Sequence, residues 1–363
     1  MTEQIEHNYP MELPAGWTAR EEQRRVFQEA AHHFLNPDED ERKRVVIIQA
    51  PTGMGKSGVA YALLRLLGSG VVVTATKQLQ EQYRGDFPDM PRLVGRGNFD
   101  CNMGSYSCEK GYYIRAGEKR SRSYCQDCGY KAHVDAAFSA LQYVCNYASY
   151  VHTSQADPSQ REVVIFDEGH RVESEIMSSV SIEITQDWIT RTDASFPDSS
   201  EEDDLFDWIE DWKDNELKDY YSLEHAAERD RIRSAISYML KTRDKLRWVA
   251  QGNVQGMGKD WVSFKPLRLS RYLSESVLNR TPRIVILSAT ILDPAELAKS
   301  LCLLDSEWAY VESTHSFDPK TRPVVFLDGS LPVVRSSMDD AKGFLLDAIQ
   351  TIMEEHPDEK GLI

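Results

Sequence analysis

Four residues of this chain have the types and spacing to handle a phosphate chain and its metal. Lys56 and Ser57 follow a glycine-rich turn, and Asp167 and Glu168 form an adjacent carboxylate pair some 110 residues later. The segment Ala50-Pro51-Thr52-Gly53-Met54-Gly55-Lys56-Ser57 matches the phosphate-loop pattern, with Ala50 where the first glycine often stands. Gly53 and Gly55 let the backbone N–H groups of Thr52 to Ser57 curl around an anion without Cβ clashes. Lys56 supplies a point charge for the β- and γ-phosphates, and Ser57 offers a hydroxyl to Mg²⁺. Asp167 is the natural second Mg²⁺ partner, and Glu168 the natural group to orient an attacking water. The implied chemistry is binding and hydrolysis of ATP.

A second constellation is made of thiols. Of six cysteines, Cys101, Cys108, Cys125 and Cys128 fall in one short stretch. The first ten residues are polar and acidic, so the expectation is a reducing setting, where such thiols ligate a metal or cluster rather than pair as disulfides. Four thiolates suit Zn²⁺ or an iron–sulfur cluster, and spacing does not choose between them. Cys145, in Val144-Cys145-Asn146, reads as a core residue, or as a ligand if Cys101 and Cys108 are not both used. Cys302, in LCLL, reads as core.

These groups need rigid elements to bring them together. Val45-Val46-Ile47-Ile48-Gln49 is a β-branched run of the kind that forms a buried parallel strand, and Gly58–Leu67 continues as a helix whose N-terminus faces the phosphates. Val163-Val164-Ile165-Phe166 is a second such strand ending in the two carboxylates. Arg283–Leu287 is a third, ending in Ser288-Ala289-Thr290. Three strands ending in polar residues imply one edge of a parallel α/β sheet that gathers ligand groups.

In this order APTGMGKS, Asp167-Glu168-Gly169-His170 and Ser288-Ala289-Thr290 resemble motifs I, II and III of superfamily 2 helicases. DEGH differs from the usual DEAH by one small residue. Arg20-Glu21-Glu22-Gln23 resembles the R-x-x-Q element, and Thr74–Gln80 resembles motif Ia. The resemblance is to the XPD/DinG-like branch. It implies a RecA-like P-loop fold in which Arg20 and Gln23 read adenine, motif Ia touches the DNA backbone, and His170 acts beside Lys56, Asp167 and Glu168. It also implies that Cys101, Cys108, Cys125 and Cys128 hold a [4Fe–4S] cluster in an inserted domain. The implied activity is ATP-dependent, 5′ to 3′ DNA unwinding in DNA repair. The implied partner is single-stranded or forked DNA, and the implied setting is cytoplasmic, nucleoid-associated or viral in origin.

The 363 residues carry a formal charge of −16, which by itself argues against nucleic acid. The distribution reverses that. Lys110, Arg115, Lys119, Arg120, Arg122 and Lys131 crowd the cysteines, interleaved with Phe99, Tyr106, Tyr112, Tyr113 and Tyr124, a pattern suited to a single-strand path. The acid lies elsewhere: between Arg171 and Asp219 there are sixteen acidic residues against four basic ones. Near-helical spacing of Leu205, Phe206, Trp208, Ile209 and Trp212, then a pattern running through Ala226–Val249, predicts a mainly helical insertion. It occupies the place of the arch in the resembled enzymes, with Trp208 and Trp212 in its core. Residues 251–258 read as a link and Trp261–Phe264 as a strand returning to the motor core. No run of about 18 apolar residues suggests a membrane span.

The expected organisation is therefore motor domain 1 over residues 1–98, 132–170 and 281–318, a cluster domain over 99–131 and a helical arch over 171–280. His315–Pro319 resembles a hinge, Pro323–Leu327 a first strand and Met338–Glu355 a first helix of a second motor domain, whose remainder is missing or separately encoded. Motifs IV to VI are not found. An arginine finger is worth about 10³–10⁵ in rate, roughly 4–7 kcal/mol, so turnover by this chain alone is expected near background. The alternative is a non-motor protein that binds ATP and single-stranded DNA without unwinding.

Overall fold

The β-branched runs form a seven-stranded sheet in which every neighbouring pair is parallel. In spatial order the strands are β12 (Trp308–Glu312), β1 (Val45–Gln49), β11 (Arg283–Ser288), β7 (Val163–Asp167), β2 (Gly70–Thr74), β6 (Gln142–Asn146) and β3 (Arg92–Leu93). The computed structural model describes residues 8–117, 125, 127–152, 156–222, 224–253, 260–269, 272–274, 277–313 and 338–355.

Alternate side chains of each strand enter two separate cores. Val46 and Ile48 point to helices α1 (Glu21–Leu35), α2 (Lys56–Leu67) and α3 (Lys77–Asp86), where they share a cluster with Phe27, Leu63, Tyr83 and Phe87. Val45 and Ile47 point the other way. They join Ala137 of α5 (Gly129–Ser139), Tyr147 of α6 (Tyr147–His152), Ile176 of α7 (Val172–Val180) and Ala298 of α12 (Pro294–Ser300). Burial on both faces explains why these strands read as unbroken apolar runs.

The insertion after β7 has its own core. Helices α8 (Gln186–Thr192), α9 (Glu202–Asp214), α10 (Glu216–Asp219) and α11 (Ala226–Leu246) pack with a three-stranded antiparallel sheet, ordered β8 (Ile182–Thr185), β10 (Trp261–Pro266), β9 (Trp248–Asn253). Phe206, Trp212, Ile236, Met239 and Phe264 are buried together, and Trp208 packs against them partly exposed. The two tryptophans are thus core residues, as expected. Helices make up most of the insertion, as expected, but Trp261–Phe264 pairs inside it rather than returning to the motor sheet, with Phe264 packed on Phe206 of α9. Residues 251–253 lie in β9 instead of a link, while 254–259 fall outside the described residues.

The cysteine segment is built differently. A two-stranded ribbon, β4 (Asp100–Cys101) with β5 (Gly104–Ser107), leads into α4 (Cys108–Gly117). Among the described residues, none of the three apolar clusters draws a member from 99–131. The chain divides into two units, Met1–His315 and Ser316–Ile363. The second contributes helix α13 (Met338–Glu355), at the bounds expected for it, while the proposed hinge and strand at 315–327 lie outside the described residues.

Candidate active site

Register places the chemistry at one sheet edge. β1 and β11 pair with Gln49 opposite Ser288, and β11 and β7 pair with Leu287 opposite Asp167, so three strand ends arrive side by side. The chain leaving β1 turns through Gly53 at φ 83° and Gly55 at φ 92°, both left-handed, and enters α2 at Lys56. The free N–H groups of the first turn of α2 and its dipole therefore face the space beyond the sheet edge. Met54 differs from its neighbours: its side chain is buried in the α1/α2 core, so only its backbone can serve a ligand. Thr52 is exposed.

Arg20 and Gln23 sit directly against this loop. The Arg20 Nη1 donates to the Gly53 carbonyl at 2.7 Å, and Gln23 Nε2 donates to the Gly55 carbonyl at 3.1 Å. Gln23 Oε1 accepts from the Arg20 amide at 2.8 Å. A Cβ at Gly55 would stand 2.2 Å from Gln23 Nε2, so glycine is required there for both conformation and space. In this state both residues brace the loop from behind.

The carboxylates are held on the opposite side. Asp167 is buried, and each of its oxygens receives one hydrogen bond. Oδ2 accepts from the Tyr83 hydroxyl at 3.0 Å, and Oδ1 from the Glu168 amide at 3.0 Å. Burial raises its pKa above the ordinary carboxylate value, opposed by these two bonds and by the charge of Lys56. Tyr83 is fully buried, and burial together with the Asp167 charge raises its pKa well above the usual phenol value, so it stays a donor. An ionised carboxylate with one donor per oxygen keeps free lone pairs, and together with the Ser57 hydroxyl in the first turn of α2 it would offer the hard oxygen donors that Mg²⁺ takes.

Glu168 follows with φ 52°, a left-handed conformation that turns the chain sharply after β7. His170 Nδ1 lies 2.8 Å from Ser288 Oγ and 3.5 Å from a Glu168 carboxylate oxygen. Gln49 Oε1, at the end of β1, accepts from the Ile291 amide at 2.8 Å. Side-chain bonds thus join the ends of all three strands. Gly169 explains the departure from the commoner alanine: a Cβ there would lie 2.4 Å from Ile286 Cγ2 and 3.2 Å from the Leu287 amide nitrogen.

The cysteines are brought near one another. Cys108, Cys125 and Cys128 line one cavity of about 430 Å³ with Arg96, Tyr112, Arg115 and Tyr130. Cys101 approaches from the ribbon so closely that a Cβ at Gly111 would sit 2.3 Å from its Sγ. Burial and the neighbouring Cys128 thiol raise the Cys108 thiol to about 11. Arg96 is clamped between the rings of Tyr112 and Tyr130, at 4.7 and 4.9 Å from their centroids. Among the described residues no three ligand-type side chains are gathered tightly enough to hold a single metal ion. Cys145 is fully buried within β6, as expected of a core thiol. Cys302 corrects the reading of LCLL: it is exposed with φ 58°, in the turn that ends α12, where the backbone rather than hydropathy sets its direction. Lys119, Arg120, Arg122 and Tyr124 lie outside the described residues.

Sequence reasoning missed Tyr83 and Gln49. Gln49 carried a signal, a polar residue closing an apolar strand. Tyr83 carried none beyond its place on the helix that follows Thr74-Ala75-Thr76.

A seven-stranded parallel sheet with the P-loop and the Asp167-Glu168 strand end at one edge is consistent with a RecA-like helicase domain. Residues 17–190 match the family model described as "Type III restriction enzyme, res subunit". A solved structure titled "XPD_Helicase" superposes with a TM-score of 0.53 at 12% identity, covering 82% of this chain and 62% of that one. One titled "Truncated XPD" gives 0.48 at 14% identity over 80% of this chain and 98% of that one. "Structure of S. tokodaii Xpd4" gives 0.42 at 11% identity over 82% and 61%. No curated protein matches. The shared fold and the family-model match support a helicase-like domain of superfamily 2. No helix among the described residues is long and apolar enough to cross a membrane.

Proposed function

We propose that this chain is the ATP-binding part of a DNA helicase of the XPD/DinG-like kind, moving 5′ to 3′. The observation that carries the reading is the arrival of Lys56, Ser57, Asp167, Glu168, His170 and Ser288 at one edge of the sheet. Lys56 and the N–H groups of Thr52 to Ser57 hold the phosphates, Ser57 and Asp167 hold Mg²⁺, and Glu168 orients the water that attacks the γ-phosphate. Bound Mg²⁺ neutralises charge on the phosphate oxygens. Arg20 and Gln23, already fixed to the loop, lie where an adenine contact would also report on loop position.

Cys101, Cys108, Cys125 and Cys128 would hold a [4Fe–4S] cluster. The cavity lined by three of them, with Arg96 as counter-charge, suits a bulky anionic group better than a single ion. In this reading residues 99–131 are the cluster domain and 171–280 the arch. DNA would pass where these two and the motor domain meet. A cavity of about 480 Å³ there is lined by Tyr113 of α4, His152 of α6, Arg231 and Tyr238 of α11, and Tyr272. Stacking rings beside a cation are what a single strand uses.

The test is anisotropy of a labelled single-stranded oligonucleotide titrated at several salt concentrations. Binding should weaken steadily with salt, and exposed Arg231→Glu should lower affinity several-fold and flatten the salt slope by about one phosphate contact. Unchanged affinity and slope in Arg231→Glu would remove this path.

A further inference from the structure

We infer that Tyr83 is a positioning residue for the nucleotide-bound metal, acting through Asp167. This rests on the reading of Asp167 as a Mg²⁺ holder. The geometry is specific. Tyr83 projects from α3 into the α1/α2 core, 1% exposed, and its ring lies 5.6 Å from Phe87, which in turn stacks on Tyr61 at 4.4 Å. Only the hydroxyl reaches past this packing, to Asp167 Oδ2 at 3.0 Å. The other carboxylate oxygen is fixed by the next residue's own amide. Two donors from different directions set the plane of the carboxylate. Without the hydroxyl, rotation about the Cβ–Cγ bond is restrained from one side only.

The bond also has a structural setting that a plain packing tyrosine would lack. Burying a phenol costs free energy unless the hydroxyl finds a partner, and here the partner is a charge that the ATP site itself needs. The ring is anchored to α3, whose N-terminal end follows Thr74-Ala75-Thr76 with Thr76 Oγ1 accepting from the Leu79 amide at 3.2 Å. The orientation of Asp167 therefore follows the seat of α3 on the sheet.

The prediction separates metal from nucleotide. Tyr83→Phe keeps the ring and its stacking and removes one hydrogen bond to a charged acceptor. Affinity for a fluorescent ATP analogue should then fall about tenfold in millimolar Mg²⁺ and stay unchanged in excess EDTA. Tyr61→Phe, which removes a hydroxyl bonded at 3.0 Å to Asp89 from the same aromatic cluster, should change neither. If wild type itself binds the analogue equally with Mg²⁺ and with EDTA, the reading of Asp167 fails. If wild type shows the Mg²⁺ gain but Tyr83→Phe keeps it in full, or loses affinity equally in both conditions, the positioning role of Tyr83 is overturned.

Discussion

The nucleotide edge and the cysteine segment solve the same problem, the placing of several ligand groups, by opposite means. At the nucleotide edge, position comes from the sheet. Gln49, Ser288 and Asp167 stand at adjacent strand ends, with buried apolar layers on both faces below them. Between 99 and 131 there is a two-stranded ribbon, a ten-residue helix and rings packed on arginines, with no share in an apolar core among the described residues. A segment that buries little apolar surface needs a cross-link to stay ordered. The contrast teaches that the first site is formed before its ligand arrives, whereas the second, on the proposed reading, would depend on the group its thiols hold.

The largest effect should come from breaking the second site. Cys108→Ser, or chelation and oxidation of the proposed cluster, should open residues 99–131 to protease while the motor sheet keeps its protection, because metal-binding free energy is local folding free energy. Anaerobically purified protein should contain iron and sulfide. Zinc in place of iron would leave the cross-link but remove the cluster, and equal protease resistance with and without metal would erase the contrast.

A smaller effect sharpens the other side. Gly169→Ala restores the commoner motif but places a methyl group against Ile286 and the Leu287 backbone. Overpacking of this kind costs about 1–3 kcal/mol, so the midpoint of denaturant unfolding should fall with an unchanged slope. A variant as stable as wild type would mean that the strand ends are less rigid than the register implies.

What could be read in the sequence divides along the same line. The P-loop, the carboxylate pair and the three strands were legible because their chemistry and geometry depend on neighbours in the chain. The cysteine set was legible as a set, but its content was not, since four thiolates serve zinc and iron–sulfur alike. The small antiparallel sheet of the insertion was missed. Ile182-Glu183-Ile184 does alternate, yet β8 becomes a strand only by pairing with β10, about 80 positions further along the chain, whereas β9 pairs with β10 as its close neighbour in sequence. Cys302 was misplaced because an apolar neighbourhood says nothing about a residue at φ 58°. Tyr83 escaped because its partner Asp167 lies 84 positions away.

The claim on which the rest stands is that the loop at Gly53–Ser57 binds ATP. Thermal unfolding of wild type and Lys56→Ala, each with and without Mg²⁺-ATP, tests it directly. Lys56 is only half-buried and its charge serves the loop, so both proteins should unfold at similar temperatures without nucleotide. Ligand at a hundredfold excess over its Kd adds about 2.7 kcal/mol, so the wild-type midpoint should rise by several degrees while that of Lys56→Ala stays where it was. An equal rise in both proteins, or none in wild type, would contradict the account.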